Sequence, residues 1–257
     1  NEATYSIDTT SDNGYILAGY KDNATTNWNI YVVKTDSSGN IQSGWPKVFG
    51  SVESDAGWVK TCKNGDYIVW GGWNDPVNQP HLRRLDPNGN TIWFNNYQNA
   101  GSSSVVDEFS DLIELENGDF VLCGYFYDSI INNPVGFMLK TDSLGNEKWR
   151  RKLQKRNNDN YLYSITQTPD GGFVMSGNVF PDGGGTTQDG WIIKVDSVGC
   201  LIPGCAVGIG EFQVSGLEFR VYPNPSEGKF ILEIIEEKNK AENDLFIRVT
   251  DIFGREI

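Results

Sequence analysis

His81 is the only histidine of the chain, and imidazole is the one side chain whose ordinary pKa changes its charge near neutral pH. It has no second histidine with which to build a His-based metal cluster, and no convincing Ser/His/Asp triad can be assembled around it. Carboxylates are more plentiful. Asp75, Asp128 and Asp182 fall in loops of different parts of the chain. A polysaccharide hydrolase or lyase would need such acids to converge, with carboxyl groups roughly 5 Å or 6.5–9.5 Å apart across a cleft. Trp28, Trp73, Asn74 and Tyr127 add ring faces and an amide, the residue types that bind a glycan or a protein surface. Four Asp-x-x-Gly turns offer oxygen ligands for Ca²⁺. Each brings a single Asp, however, and Asp also closes turns on its own backbone, so no cofactor is expected. The run Lys148-Trp149-Arg150-Arg151-Lys152-Leu153-Gln154-Lys155-Arg156 is basic against an acidic background and reads as a solvated edge strand guarded by charge.

These residues are set in a repeat. Aromatic residues recur at Tyr15, Tyr67, Phe120 and Phe173, separated by 52, 53 and 53 positions. Eight residues before each stands an aliphatic residue (Ile7, Val59, Leu112, Ile165), and four after each a glycine (Gly19, Gly71, Gly124, Gly177). Asn-Gly and Asp-Gly signals between aliphatic and aromatic predict hairpin turns of two residues. A third apolar stretch ends in Lys34, Arg84, Lys140 or Lys194, two places before Asp36, Asp86, Asp142 or Asp196. A glycine follows three residues later in every copy, and in the first three copies an Asn and then Trp45, Trp93 or Trp149. His81 occupies the slot that holds Tyr31, Phe137 and Trp191 elsewhere, so it reads as a packed ring. Four short strands per unit, the last anchored by a buried Trp, fit an all-β fold: a β-propeller-like array of four-stranded antiparallel blades over 1–205. The fourth copy has no such Trp, which predicts that the ring extends beyond these four blades.

The turns inside each unit keep their length, whereas the connections between the second and third strands and between units vary. Both variable sets emerge on one face of an antiparallel blade, and loops on a rigid scaffold are where binding residues concentrate. Trp28, Trp73, Asn74, Asp75, Tyr127, Asp128 and Asp182 are therefore the candidate ligand-binding residues. No catalytic or metal-ligating set is assigned.

A formal net charge of -13 argues against a nucleic-acid partner and against an anionic membrane surface. No apolar run is long enough to form a transmembrane segment. Cys200 and Cys205 bracket a Leu-Ile-Pro-Gly turn and are expected to form a small local disulfide. Cys62 and Cys123 occupy non-equivalent repeat positions and are expected to be buried free thiols.

Beyond a linker at 206–216, the tail at 217–257 reads Tyr222-Pro223-Asn224-Pro225-Ser226-Glu227-Gly228 and later Asp251-Ile252-Phe253-Gly254-Arg255-Glu256-Ile257. The two motifs resemble the C-terminal sorting domain of cargo of the type IX (Por) secretion system. The upstream repeats are similar to the propeller-like repeats that often precede such tails. The resemblance implies an Ig-like β-sandwich, partial here because the family's later strands do not follow. It also implies the type IX secretion machinery as a partner and an extracellular or outer-cell-surface location. The expectation is a secreted or surface-displayed binding or adhesion module for a glycan or protein. A polysaccharide-acting hydrolase or lyase, or a spacer without a ligand, are the alternatives.

Overall fold

In the computed structural model the chain divides into two compact units, Asn1–Ile202 and Pro203–Ile257. The structure describes residues 1–22, 28–50, 57–71, 80–97, 108–183, 187–201, 217–222 and 231–236. The first unit holds four antiparallel sheets in sequence order, and they are the blades of a β-propeller. Blade one comprises β1 (Glu2–Thr9), β2 (Tyr15–Asp22), β3 (Trp28–Thr35) and β4 (Lys47–Phe49). Blade two is β5 (Trp58–Thr61), β6 (Tyr67–Gly71), β7 (His81–Leu85) and β8 (Thr91–Asn96). Blade three is β9 (Glu108–Glu114), β10 (Phe120–Asp128), β11 (Asn133–Thr141) and β12 (Glu147–Leu153). Blade four has β13 (Asn160–Gln167), β14 (Phe173–Val179) and β15 (Asp189–Val195), and no fourth strand among the described residues. In the second unit β16 (Leu217–Tyr222) pairs antiparallel with β17 (Ile231–Glu236). The rest of the tail, including the Pro-Asn-Pro and Gly-Arg motifs, lies outside the described residues.

The turns are one residue longer than the two-residue hairpin expected. Thr10 N donates to Gly14 O and Asn13 N to Thr10 O, and only Asn13 takes a positive φ, of 61°. A single left-handed residue at the end of a three-residue loop suffices to close the ladder, and Gly65, Gly118 and Gly171 do the same in blades two to four. The Asp-x-x-Gly turns repeat this geometry. Asp36 Oδ1 accepts from Ser38 N and Asn40 N at 2.8 and 2.9 Å, and its Oδ2 accepts from Asn40 Nδ2 at 2.9 Å. Asp86 and Asp142 are bonded in the same way. Both carboxylate oxygens thus hold the loop through N–H donors.

The core lies between blades. Ile16, Ala18, Ile30 and Val32 of blade one pack on Val59, Tyr67, Val69 and Leu85 of blade two. Ile68, Trp70 and Leu82 pack on Leu112, Phe120, Leu122 and Leu139 of blade three, and Val121, Cys123 and Met138 on Phe173, Met175 and Ile193 of blade four. Each blade therefore has two unlike faces, one presented forward to the next blade and one backward to the last. The first strands neighbour one another, which makes them the inner strands. Ser6 Oγ accepts from Val59 N at 2.8 Å, and Asp111 Oδ2 accepts from Ile165 N at 3.0 Å.

The tryptophans expected to anchor the fourth strands are half-buried and serve the following blade. A Cβ at Gly89, Gly145 or Gly199 would lie within 2.8–2.9 Å of Trp45, Trp93 or Trp149 respectively. Trp93 Nε1 also donates to Ser143 O at 3.2 Å. His81 is buried with its ring 5.2 Å from that of Phe94, the packed position expected. Cys62 and Cys123 are free and buried. Cys200 is disulfide-bonded, and Cys205 lies outside the described residues. The basic segment is largely neutralised. Lys148 pairs with Asp119 at 2.8 Å, Arg150 with Glu147 at 2.8 Å and Lys152 with Asp128 at 2.5 Å.

Candidate functional site

In blades one, three and four the invariant glycine of the second strand creates the geometry of the candidate site. Strand β1 carries a β-bulge between Thr4 and Ser6, β9 one opposite Cys123 and Gly124, and β13 one between Leu162 and Ser164. The bulge brings the first strand's backbone onto the second. A Cβ would stand 2.0 Å from Ala3 O at Gly19, 1.9 Å from Glu108 O at Gly124 and 1.8 Å from Tyr161 O at Gly177. Only glycine fits there. A bulge re-aims the extra residue that it inserts. That residue is Tyr5 in β1, Ser110 in β9 and Tyr163 in β13, the same repeat position on the inner strand.

Tyr5 is 51% exposed and joins a row of rings. Its centroid lies 5.8 Å from that of Tyr20 and 6.1 Å from that of Trp58, and Tyr20 stacks on Trp28 at 4.5 Å. Tyr20 follows Gly19 directly, and Trp28 opens β3, so the row reaches the face with the variable connections. A second group joins blades three and four. Tyr125, which follows Gly124, meets Tyr161 edge-on at 4.7 Å, and Tyr161 stacks on Tyr163 with an interplanar angle of 4°. The Tyr125 hydroxyl donates to Glu108 Oε2 at 2.6 Å, and the Tyr161 hydroxyl donates to Asp159 Oδ2 at 3.0 Å.

Burial raises the Glu108 carboxyl above its ordinary value, and the bond from Tyr125 offsets only part of that. Burial, then the neighbouring Glu108 charge, holds the Tyr125 phenol well above the usual tyrosine range. A carboxyl whose pKa is raised by folding contributes stability while it is protonated and loses it as pH rises through the folded-state value. Glu108→Gln should therefore raise the melting temperature at pH 7 and flatten its decline as pH rises above about 4.5. Calorimetric scans across that range give the check.

The loop candidates are distributed differently from the sequence expectation. Trp28 belongs to the first aromatic row. Trp73, Asn74 and Asp75 lie outside the described residues. The Tyr127 hydroxyl donates to Asn132 Oδ1 at 2.6 Å within its own hairpin. Asp128 Oδ1 accepts from Ile130 N and Ile131 N, and Oδ2 pairs with Lys152. Asp128 is buried enough to raise its pKa, but Lys152 and these amides outweigh burial and keep it below the usual carboxylate range. Asp182 Oδ1 accepts from Asn157 N at 2.8 Å, which ties the connection into β13 to the one leaving β14. Asp128 and Asp182 thus hold loops. Among the described residues, no group of three or more His, Cys, Asp or Glu side chains could hold a metal ion.

The sequence reading did not single out Tyr5, Tyr20, Trp58, Tyr125, Tyr161 or Tyr163. Its candidates lie in or beside the variable loops, and these rings stand on strands near the invariant glycine. For four of them a signal was available: Tyr20 and Tyr125 stand immediately after that glycine, and Tyr5 and Tyr163 two places before the inner-strand aliphatic residue.

No protein-family model matches the chain, and no curated protein matches it. Among solved structures it is similar to an endo-arabinase from Bacteroides thetaiotaomicron, at 14% identity and a TM-score of 0.45 over 74% of this chain and 73% of that one. It is also similar to a protein of unknown function from Dyadobacter fermentans (14% identity, TM-score 0.42, 67% of this chain and 56% of that one). A hypothetical protein from Leishmania major is similar at 10% identity and a TM-score of 0.40 over 74% of this chain and 65% of that one.

Proposed function

We propose that the propeller is an extracellular glycan-binding module whose platform is the row Tyr5, Tyr20, Trp28 and Trp58. The exposed Tyr5 ring, aimed by its bulge and backed by three further rings, carries this reading. Flat aromatic faces take up the apolar faces of sugar rings, while a neighbouring hydroxyl or indole N–H serves the sugar hydroxyls. A net charge of -13 repels polyanionic chains, so the ligand class is a neutral glycan. The enzymatic reading has weaker support, because Asp128 and Asp182 are occupied with backbone amides and Lys152.

Export by the type IX machinery is part of the proposal. The Tyr222-Pro223-Asn224-Pro225 opening supports it, as does the antiparallel β16–β17 pair, a fitting start for a small sandwich. Native affinity electrophoresis through gels containing neutral or acidic polysaccharides tests the binding claim. Retardation in at least one neutral gel, lost in a Tyr5→Ala/Trp28→Ala double variant, is the expected result. Equal mobility in every gel would refute it.

A further inference from the structure

The four blades contain three forward-to-backward interfaces, and among the described residues the two halves of a fourth are uncovered. Val59, Leu112 and Ile165 are buried beneath the preceding blade, whereas the equivalent Ile7 is 62% exposed. Tyr67, Phe120 and Phe173 are likewise buried, while the equivalent Tyr15 is 38% exposed. At the other end Val32, Leu82 and Met138 are buried beneath the next blade, while their counterpart Ile192 is 78% exposed.

The three closed interfaces define what a covering element must bring. Lys34 lies over the Tyr67 ring at 5.6 Å, and Arg84 over the Phe120 ring at 5.9 Å. Trp45 meets Tyr67 edge-on, and Trp93 meets Phe120 in the same way, both at 6.2 Å. The same tryptophans cover Gly89 and Gly145, and Trp149 covers Gly199, but none of the described residues lies within 4 Å of a Cβ placed on Gly39. Blade one therefore presents the receiving half of this interface, with Ile7, Tyr15 and Gly39 exposed. What fits it is an aliphatic face, a third-strand cation and a fourth-strand tryptophan.

We propose that the backward face of blade one seats a further blade of this same repeat, one with a tryptophan on its fourth strand. The four blades are then an arc of a larger ring. Blade four of a second copy would be the alternative occupant, because Val174, Ile192 and Lys194 follow the forward-face pattern. Among the described residues that blade brings no fourth strand, and no tryptophan stands after its Asp196–Gly199 turn as Trp45, Trp93 and Trp149 stand after theirs. Continuity with three interfaces that each use that ring favours the complete blade.

Nitration of tyrosines by tetranitromethane, mapped by peptide mass, tests the proposal on the protein recovered from its native source beside the recombinant 1–257 chain. Tyr15 should react readily in the recombinant chain and as slowly as Tyr67 in the native protein. Equal reactivity of Tyr15 in both would overturn the proposal. A second test places a copy of residues 108–158 ahead of Asn1, which keeps the spacing between blades. The melting temperature should rise, and Trp149→Ala in the added copy alone should remove most of the gain. A gain indifferent to that tryptophan would overturn the proposal. So would a concentration-dependent dimer of the 1–257 chain that Ile192→Asp abolishes, since the occupant would then be a second copy.

Discussion

Phe120→Ala is expected to cost about 3–5 kcal/mol, which makes it the most damaging single truncation in the propeller. The ring is fully buried between blades two and three. Trp93 meets it edge-on and the Arg84 guanidinium lies over its face, so truncation opens a cavity and also strips an aromatic and a cationic partner. Arg84 is further held by Asp66 at 2.9 Å and by Ser143 O at 3.0 Å, which limits how far the site can collapse to fill the void. Chemical denaturation followed by tryptophan emission gives the magnitude. Leu144→Ala, on an exposed turn, should stay within about 0.5 kcal/mol of the parent and serves as the control.

Gly124→Ala should be nearly as damaging, for the opposite reason. The added methyl would meet the Glu108 carbonyl oxygen at 1.9 Å, a backbone atom that cannot rotate away. Relief requires the bulge opposite Cys123 and Gly124 to flatten, which shifts Phe109 and the residues before it by one position and reverses the faces they present. Overpacking of this kind costs about 1–3 kcal/mol before any ladder is broken. Hydrogen exchange should localise the loosening to β9 and the start of β13, and the Glu108–Tyr125 bond should be lost with it. Exchange identical to the parent would show that the bulge does not depend on glycine. The same substitution at Gly19 should displace Tyr5 and reduce ligand binding even where the chain stays folded.

Much of the scaffold was legible because turn chemistry and strand length are local properties. The Asp36, Asp86 and Asp142 loops close on their own backbone amides, and a fixed spacing of Asp, Gly and Asn announces that. The four hairpins around Tyr15, Tyr67, Phe120 and Phe173 follow from alternation bounded by Asn-Gly and Asp-Gly. The reason for the invariant Gly19, Gly124 and Gly177 was not legible. Their constraint is an approach of two strands, visible only once register is known. Trp45, Trp93 and Trp149 were legible as anchors of the fourth strands, but periodicity within a unit says nothing about which neighbour a side chain reaches. Tyr5 and Ile7 show the same limit from another side. Both stand where the pattern expects a strand, and only the packing of blades shows that one is aimed by a bulge and the other left uncovered.

Isothermal titration with the neutral glycan that most retards the protein measures the central claim directly. A ring face of this kind contributes about 0.5–1.5 kcal/mol beyond its buried area, so Tyr5→Ala should weaken binding by about tenfold. Tyr163→Ala, which leaves the first row intact, should leave the affinity unchanged. Tyr5→Ala binding with the parent's affinity would contradict the account, because the residue that the bulge aims outward would then play no part in recognition.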